Sequence, residues 1–391
     1  MIALPRSLSD NAQAMVPSGI REISEHVFAL EAQGKGPFIS LTAGEPSFRA
    51  PDHVQAAAIQ QIQKGHMGYI ENAGMTALRL KLAEMLSRRH GVATIKDNVL
   101  VSIGAMGCLS SSALALFNAG DEVLVPDPGY PNYGMIFALI GAKLVPYACP
   151  SEKEFQPDMD DVAVKIGPKT AGILVCSPSN PTGAVMTEES LDRFVTLARM
   201  YNLWLLSDEI YEDLVYEEPF KSLVSRAPER TVYYSGFSKT YAMTGYRVGY
   251  MRAPAPLIDR IAHMHEALVS CGVPAAQAGA LAALEGDQSI VADMRASYQA
   301  RRDAVVALVQ EAGLETYVPG GAFYLMLGLP ALPMDSRAFC FRLLETEQVA
   351  VAPGRAFGMK GDGHVRISLA TAQEKLLEGV SRLLKIYKTL C

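Results

Sequence analysis

The sequence lacks the features that mark several large classes of protein. Its six cysteines are scattered without a Cys-x-x-Cys pair, which argues against a zinc-ribbon site and a disulfide framework. No apolar run is long enough to span a bilayer. The first residues, Met1–Arg6, show no charged stretch followed by an apolar one, so no secretory signal is predicted. We therefore expect reduced thiols, a cytoplasmic location and no membrane partner.

Positive charge and repetition are also scarce. The net charge of −6 argues against nucleic acid as the main partner. The chain has no low-complexity segment and no internal repeat. No Gly-x-Gly-x-x-Gly motif follows a predicted strand, which argues against a nicotinamide-dependent oxidoreductase.

The residues that are present describe a large globular chain. It has 391 residues, of which 49% are hydrophobic and 19% charged, so it can bury a sizeable core and form more than one domain. The continuous apolar run at 171–176 predicts a strand buried on both faces, the run at 203–207 predicts another buried strand, and 99–103 predicts a further strand. Helical periodicity at 18–33 and 75–89 predicts amphipathic helices. This alternation predicts an α/β protein with a mostly parallel sheet.

One lysine, Lys239, lies among small, hydroxyl-bearing and aromatic residues in the segment Ser235–Tyr250. No acidic residue occurs between positions 230 and 259 to hold it in a surface ion pair. A desolvated lysine has a lowered pKa, and its neutral amine can attack a carbonyl. Arg247, eight residues on, adds a fixed cation that suits a phosphate. The pair indicates a phosphorylated aldehyde cofactor; the alternative is a lysine that extends from a strand end to water.

Polar and aromatic side chains follow the predicted strands where each one ends, and ligands bind at this edge of open α/β sheets. Tyr130 follows a Pro-Gly turn, where its ring either stacks on a flat heterocycle or packs in the core. Asn180 offers an amide from a loop that two prolines constrain, and these prolines are candidates for cis bonds. Asp208 needs a cationic or hydrogen-bonding partner if it is buried. Tyr211, three residues on, shares a face with Asp208 if one helical turn connects them.

Three further positions indicate close contact with a ligand. The segment Gly104–Met106 connects a predicted strand to a helix, and the free N–H groups at such a helix N-terminus attract anions. Arg366 alternates with apolar residues in a predicted strand, where it requires a carboxylate if it is buried or lies on an edge strand facing water. Gly44 lies where the backbone approaches another group or simply turns ahead of Pro46.

Taken together, these segments resemble the fold-type I aminotransferases, which use pyridoxal 5′-phosphate (PLP). The motifs that carry the resemblance occur in the family's order over nearly the whole chain: Leu-x-x-Gly-Glu-Pro at 41–46, Ser-Pro-x-Asn-Pro-Thr-Gly at 177–183, Ser-Lys at 238–239 with Arg247, and Val-Arg-x-Ser at 365–368. They look most like the subgroup of archaeal aromatic and bacterial aspartate enzymes. The resemblance implies the fold of that class, with a large PLP-binding domain at 46–284. Its smaller α/β domain would combine residues 1–45 with 285–391.

The resemblance also implies roles for individual residues. Lys239 is implied to hold PLP as a Schiff base and to act as the general acid–base, while Asp208 keeps the ring nitrogen protonated. The other implied cofactor contacts are Tyr211 and Asn180 at the ring oxygen, Tyr130 over the ring, and Gly104, Ala105, Met106, Ser238 and Arg247 at the phosphate. The implied substrate contacts are Gly44, Asn180 and Arg366, with Arg366 at the α-carboxylate. Tyr69 is implied to reach the phosphate of the other subunit, so we expect a homodimer with shared active sites.

The activity implied by the resemblance is transfer of an amino group from an L-amino acid to a 2-oxo acid such as 2-oxoglutarate. Family members specific for acidic substrates tend to carry lysines where this chain has Val16 and Met106, which favours an aromatic or bulky neutral donor over aspartate. Gly236 stands where a phosphate-binding serine is common, so Ser235 or Ser238 is expected to replace it. A PLP-dependent carbon–sulfur lyase or cyclopropane-forming synthase shares these residues. A PLP-binding regulatory protein is the alternative that is not an enzyme.

An acidic run follows the predicted strand at 203–207 and raises the possibility of a metal site. Its members are Asp208, Glu209, Glu212 and Asp213. Adjacent acids point apart on a helix, and no histidine is close in the sequence, so we predict no metal. Glu212 and Asp213 are expected on a solvated face.

Overall fold

The computed structural model describes residues 8–15, 17–65 and 67–391. The prediction for Met1–Arg6 and the alignment of Val16 lie outside these residues. Within them, no helix is both long enough and apolar enough to cross a membrane.

Fourteen α-helices and twelve strands alternate along the described residues. The helices are α1 Asp10–Ala14, α2 Gly19–Glu31, α3 Asp52–Gln63, α4 Thr76–His90, α5 Ala105–Leu116, α6 Asn132–Leu139, α7 Met159–Lys165, α8 Glu188–Met200, α9 Phe237–Thr240, α10 Ala255–Val269, α11 Pro274–Glu285, α12 Ser289–Glu311, α13 Ser336–Glu347 and α14 Gln373–Leu390. The strands are β1 Ile39–Ser40, β2 Val99–Ser102, β3 Glu122–Asp127, β4 Lys143–Ala148, β5 Thr170–Cys176, β6 Trp204–Asp208, β7 Thr231–Gly236, β8 Gly249–Arg252, β9 Tyr324–Gly328, β10 Val349–Ala350, β11 Ala352–Pro353 and β12 His364–Ser368.

The central sheet has seven strands in the order β2-β8-β7-β6-β5-β3-β4. Only β8 runs antiparallel to its neighbours in this sheet, so the prediction of a mostly parallel sheet is confirmed. Successive residues of its strands pack on opposite faces. Leu174 and Leu206 pack in the cluster that includes residues of α5, α6 and α10, whereas Ile173 and Leu205 pack with residues of α7 and α8. Apolar side chains are therefore needed at both alternating sets of positions, which explains the continuous apolar runs.

A second, smaller sheet is antiparallel, with the order β11-β12-β9. Arg366 lies on the middle strand β12, opposite Met326 of β9 and Ala352 of β11. Its placement on a surface edge strand is therefore excluded. The short strand β1 pairs in parallel with β10, at Ile39 and Val349, so an early segment packs beside the last third of the chain. The division into domains at 46–284 and at 1–45 with 285–391 stays a prediction.

Strand β1 has only two residues, because the backbone leaves β10 after Leu41. At two further places the structure differs from what the sequence pattern indicated. The segment after Asp208 is a turn rather than a helix. Helix α11 was not predicted, although Pro274 at its first position is a common helix start.

Candidate active site

A cavity of about 620 Å³ lies at the carboxyl ends of the parallel strands of the central sheet. It brings together twelve of the thirteen site residues predicted from the sequence. They are Gly44, Gly104, Ala105, Met106, Tyr130, Asn180, Asp208, Tyr211, Ser238, Lys239, Arg247 and Arg366. Segments far apart in the sequence meet here because each follows the end of a neighbouring strand or comes from the smaller sheet.

Lys239 lies in the short helix α9, directly after the fully buried strand β7. Its Nζ donates a hydrogen bond to the carbonyl oxygen of Gly44 at 2.5 Å. Burial lowers the pKa of Lys239 to about 8; Glu45 opposes this shift, whereas the cations Arg247 and Arg366 add to it. A substantial share of Lys239 is therefore a neutral, nucleophilic amine near pH 8.

Asp208 ends strand β6 and faces the cavity. Its Oδ2 accepts a hydrogen bond from the Tyr133 hydroxyl at 2.7 Å, and its Oδ1 accepts one from the Ile210 backbone N–H at 3.3 Å. Burial raises the pKa of Asp208, and the hydrogen bond from Tyr133 opposes that shift. Sequence reasoning missed Tyr133, although it lies one helical turn beyond Tyr130 in the same strand-exit segment.

Tyr211 is buried beside the cavity, and its hydroxyl lies 3.1 Å from that of Tyr324. Tyr324 was not predicted as a site residue, although it ends the glycine-rich segment 320–324. Tyr324 also explains why residue 44 is a glycine, because a Cβ at that position would lie 2.3 Å from the Tyr324 hydroxyl oxygen. The close approach predicted at Gly44 is therefore made, within the protein, by a tyrosine of the smaller sheet.

The first turn of α5 forms an anion cradle together with strand β8. Gly104 adopts φ +83°, and the first N–H groups of a helix lack intrahelical acceptors. Arg247 covers this turn: a Cβ on Gly104 would lie 2.8 Å from Arg247 Nη2. Gly249 of β8 packs against the same turn, where a Cβ would lie 2.2 Å from the Ala105 nitrogen. Gly104 and Gly249 have no Cβ, and this leaves the space in which Arg247 and β8 pack against the turn.

The two candidate serines have different environments. Ser238 lines the cavity. Ser235 is buried in β7 and donates from its Oγ to Glu212 Oε1 at 3.4 Å. Of the two, Ser238 is the one in place to bind a ligand in the cavity.

Arg366 is buried, with 2% of its surface exposed, and lies between the rings of Tyr324 and Phe357. Its Cζ is 4.4 Å and 4.8 Å from the two ring centroids. Its Nη1 donates to Asn180 Oδ1 at 2.9 Å, and its Nη2 donates to the Thr42 carbonyl oxygen at 2.6 Å. No carboxylate pairs with it and its Nε has no hydrogen-bond partner within the described residues. A buried cation with spare donors suits a carboxylate ligand.

Tyr69 is the predicted residue that does not line the cavity. Its side chain is 91% exposed, in a loop where Met67 is also exposed. The sequence-based role of Tyr69 therefore depends on a second chain.

The expectation of a solvated face at Glu212 and Asp213 is wrong. Glu212 is 5% exposed, and Asp213 is partly buried. Both carboxylates pair with Arg89 at the end of α4, at 2.5 Å and 2.9 Å. Sequence spacing could not reveal this, because the partners are more than 120 residues apart.

The polar groups that line the cavity fit PLP. The amine of Lys239 suits an aldehyde, the carboxylate of Asp208 suits a protonated ring nitrogen, and the turn at Gly104 with Arg247 suits a phosphate. Tyr130 supplies an aromatic face at the same cavity. The α/β fold with these groups at its strand ends is that of the fold-type I PLP enzymes.

Comparison with known proteins identifies the family. The sequence profile described as "Aminotransferase class I and II" matches residues 37–383. The chain is 35% identical to aromatic-amino-acid aminotransferase 2 of Thermococcus litoralis, over 98% of both chains, and 35% identical to the aspartate/prephenate aminotransferase of Thermus thermophilus, over 97% and 99%. The solved structure of Thermus thermophilus aspartate aminotransferase with maleate superposes with a TM-score of 0.93 at 35% identity, covering 97% of this chain and 100% of that one. The chain belongs to the class I and II aminotransferases, and it is a PLP-dependent aminotransferase that acts on amino acids and 2-oxo acids.

Proposed function

We propose that the protein transfers the amino group of an aromatic or other bulky uncharged L-amino acid to a 2-oxo acid such as 2-oxoglutarate. The observation that carries the use of amino-acid and oxo-acid substrates is Arg366, which is buried between two aromatic rings and has no carboxylate partner in the described part of the chain. The donor class rests on the cavity wall described below. Such a cation holds the carboxylate that every amino-acid and oxo-acid substrate carries. Asn180 orients Arg366 through its Oδ1.

The residues around Lys239 hold the cofactor. Gly104, Ala105, Met106, Ser238 and Arg247 would bind its phosphate, Tyr130 would pack on its ring, and Tyr211 and the amide of Asn180 would contact its ring oxygen. When bound, PLP supplies an electron-accepting ring that stabilises negative charge at the substrate Cα.

Lys239 and Asp208 would each hold or move a proton at a different atom. Asp208 holds a proton at the ring nitrogen, and Tyr133 keeps its carboxylate oriented and ionised. Lys239 Nζ, as a neutral amine, takes the proton from the substrate Cα and later returns it as a general acid. The Gly44 carbonyl oxygen, which accepts from Nζ at 2.5 Å, orients the amine.

The cavity wall beside the substrate favours an uncharged donor. Met106 lines it, as do Ile20, Val27 and Phe28 of α2. A dicarboxylate acceptor needs a second cation, and Arg21 lines the same mouth of the cavity, paired with Glu25 at 3.0 Å. We therefore expect aromatic donors to react faster than aspartate, with 2-oxoglutarate as acceptor.

We further propose a cytoplasmic homodimer in which Tyr69 of the partner subunit binds the cofactor phosphate. The 91% exposure of Tyr69 supports this, because a tyrosine with a phosphate-binding role needs a ligand that its own chain does not bring to it. The six cysteines are all free thiols, as expected for a reducing compartment.

The test is an absorbance spectrum of the PLP-loaded protein with single amino acids and no oxo acid. Phenylalanine, tyrosine and leucine are expected to bleach the visible band of the bound cofactor faster than aspartate does, and 2-oxoglutarate is expected to restore it. A faster bleach with aspartate overturns the proposed donor class. A band that persists while ammonia and pyruvate accumulate would indicate lyase chemistry instead.

A further inference from the structure

Three buried side chains converge behind the active site, on the protein side of Asp208. They are His90 at the end of α4, and Glu209 and Glu212 in the turn after β6. One nitrogen of His90 and one oxygen of each carboxylate all lie within 4.8 Å of one another. All three residues are less than 10% exposed, and none of them lines the cavity.

The first oxygen of Glu209 is fully engaged by neighbours. Its Oε1 accepts from Ser207 Oγ at 2.7 Å, from Ser222 Oγ at 3.0 Å and from the Leu223 backbone N–H at 3.2 Å. These three donors fix the orientation of the carboxylate. Its second oxygen, Oε2, is left for another partner.

Glu212 is arranged in the same way. Its Oε1 receives Arg89 Nη1 at 2.5 Å and hydrogen bonds from the hydroxyls of Tyr233 and Ser235. Its Oε2 lies 3.5 Å from His90 Nε2. Each carboxylate is therefore held through its Oε1, and its Oε2 has no hydrogen-bond partner in the described residues.

Four polar atoms of these three side chains have no hydrogen-bond partner anywhere in the described ranges. These atoms are Glu209 Oε2, Glu212 Oε2 and both ring nitrogens of His90. Buried polar atoms are almost always paired with protein, water or an ion, so several unpaired atoms at one point indicate a missing partner.

The charges of the cluster show which kind of partner fits. Glu209, Glu212 and Asp213 are close together, and Arg89 is the fixed cation that pairs with two of them. Glu212 Oε1 pairs with Arg89, whereas the hydrogen-bond partners of Glu209 in the described residues are two hydroxyls and one backbone N–H, all uncharged. One more positive charge between the carboxylates would relieve their repulsion.

We propose that His90, Glu209 and Glu212 bind one divalent transition-metal ion of the zinc type. An imidazole nitrogen with two carboxylate oxygens is a ligand set that Zn²⁺ accepts, whereas Ca²⁺ prefers six or more oxygens. The ligand atoms lie within 4.8 Å of one another, and the 3.5 Å between His90 Nε2 and Glu212 Oε2 is close to the ~3.4 Å between ligand atoms of a tetrahedral site with bonds of about 2.1 Å.

The ion has a structural role next to the catalytic residues. Glu209 directly follows Asp208, and Tyr211 lies between the two acidic ligands. His90 ends α4, so the ion ties that helix to the turn that carries Asp208 and Tyr211. This proposal differs from the sequence-based expectation of no metal, which did not include His90 because His90 is more than 100 residues from the acidic run.

The test uses the PLP-loaded protein after dialysis against a chelator. One equivalent of Zn²⁺ is then added, and bound metal is measured by mass spectrometry alongside Tm. We expect about one ion per chain, an increase in Tm, and loss of both in Glu209→Gln and His90→Gln. Both variants should keep the visible band of bound PLP. His26→Gln is the matched control, because it removes a histidine 3.7 Å from a carboxylate at the surface and should keep the bound ion.

Co²⁺ gives an independent readout that needs no variant of His90. The wild-type protein should show visible ligand-field absorption with one equivalent of Co²⁺, and Glu209→Gln should lose it. Binding well below one ion per chain overturns the proposal, even if His90→Gln does not fold. Uptake that persists in Glu209→Gln places the metal elsewhere and also overturns it. A Tm that follows pH but not Zn²⁺ would show that the cluster holds a proton only, and would likewise overturn it.

Discussion

The hydroxyl of Tyr133 donates a 2.7 Å hydrogen bond to Asp208 Oδ2, joining helix α6, which follows β3, to the carboxyl end of β6, two strands away in the sheet. Burial raises the pKa of Asp208, and this bond works against it. An ionised Asp208 is the form that can hold a proton at the cofactor ring nitrogen. Tyr133 therefore acts through Asp208 as a positioning residue.

Tyr133→Phe removes this hydrogen bond with little change of shape. A hydrogen bond to a charged group contributes about 1.5 kcal/mol or more, so kcat/KM should fall by roughly tenfold. The acid limb of the pH profile should shift to higher pH, because Asp208 then ionises at higher pH. Tyr147→Phe is the control: it removes another buried hydroxyl, bonded to the Leu174 carbonyl oxygen, and should leave that limb in place. An unshifted limb in Tyr133→Phe would contradict the assigned role.

Gly249→Ala should damage the anion cradle. The added Cβ would lie 2.2 Å from the Ala105 nitrogen and 2.3 Å from the Gly104 carbonyl carbon, so the turn must move away from its phosphate-binding position. We expect the Kd of PLP to rise at least about tenfold, equivalent to ~1.4 kcal/mol. Titration of the PLP-free protein measures it. Gly245→Ala, whose Cβ meets nothing within 4 Å, should bind PLP normally.

Lys239 should titrate near pH 8 in the PLP-free protein. Burial disfavours its charged form, so its pKa is about 8, and the neutral fraction rises with pH through that value. Labelling with acetic anhydride, quantified by mass spectrometry, follows the neutral amine. In guanidinium-unfolded protein the same lysine should titrate near the ordinary value of about 10.4. A midpoint in the folded protein equal to the unfolded one would refute the desolvated site.

Arg366→Lys should weaken substrate binding without displacing the cofactor. Lysine cannot grip a carboxylate with two parallel hydrogen bonds, so about 1.5–3 kcal/mol is lost and KM rises roughly 10- to 100-fold. Steady-state kinetics with the preferred donor measures the change. Arg252→Lys alters another buried arginine, on β8, that bonds the Pro228 carbonyl oxygen away from the cavity, and should leave KM unchanged. An equal rise in both variants would point to general loosening of the fold.

Shared active sites can be tested with two defective chains. Tyr69→Ala and Lys239→Ala should each be nearly inactive alone. After co-refolding, hybrid dimers carry one site with both native residues, so activity should recover to at most about a quarter of wild type. If Tyr69 served its own chain, no hybrid site would be intact and mixing would restore nothing.

Most of the site could be predicted from the sequence because its residues follow strand ends in short motifs. Lys239, Asp208 and Asn180 each lie next to an apolar run that fixes where the strand ends, and strand ends meet at one edge. Tyr133 and Tyr324 could not be assigned in this way. Their roles come from contacts 75 and 113 residues away, to Asp208 and Tyr211.

The exposure of the acidic residues after β6 was predicted incorrectly. Sequence reasoning placed Glu212 on a helix facing water, since charged residues are usually exposed. The segment is a turn, and α4 brings Arg89 and His90 against it. The spacing of apolar and charged residues along the sequence does not show which distant helix packs against a turn.

The bond from Arg366 to the Thr42 carbonyl oxygen joins residues 324 positions apart, and Lys239 reaches Gly44 in the same region. During synthesis on the ribosome, the amine at Lys239 and the acid at Asp208 are therefore made long before the group proposed to hold the substrate carboxylate. A nascent chain that stops before residue 366 lacks that group, even if it has already bound the cofactor. Binding of the substrate carboxylate therefore requires that nearly the whole chain has been made, whereas the residues proposed to hold the cofactor are complete much earlier.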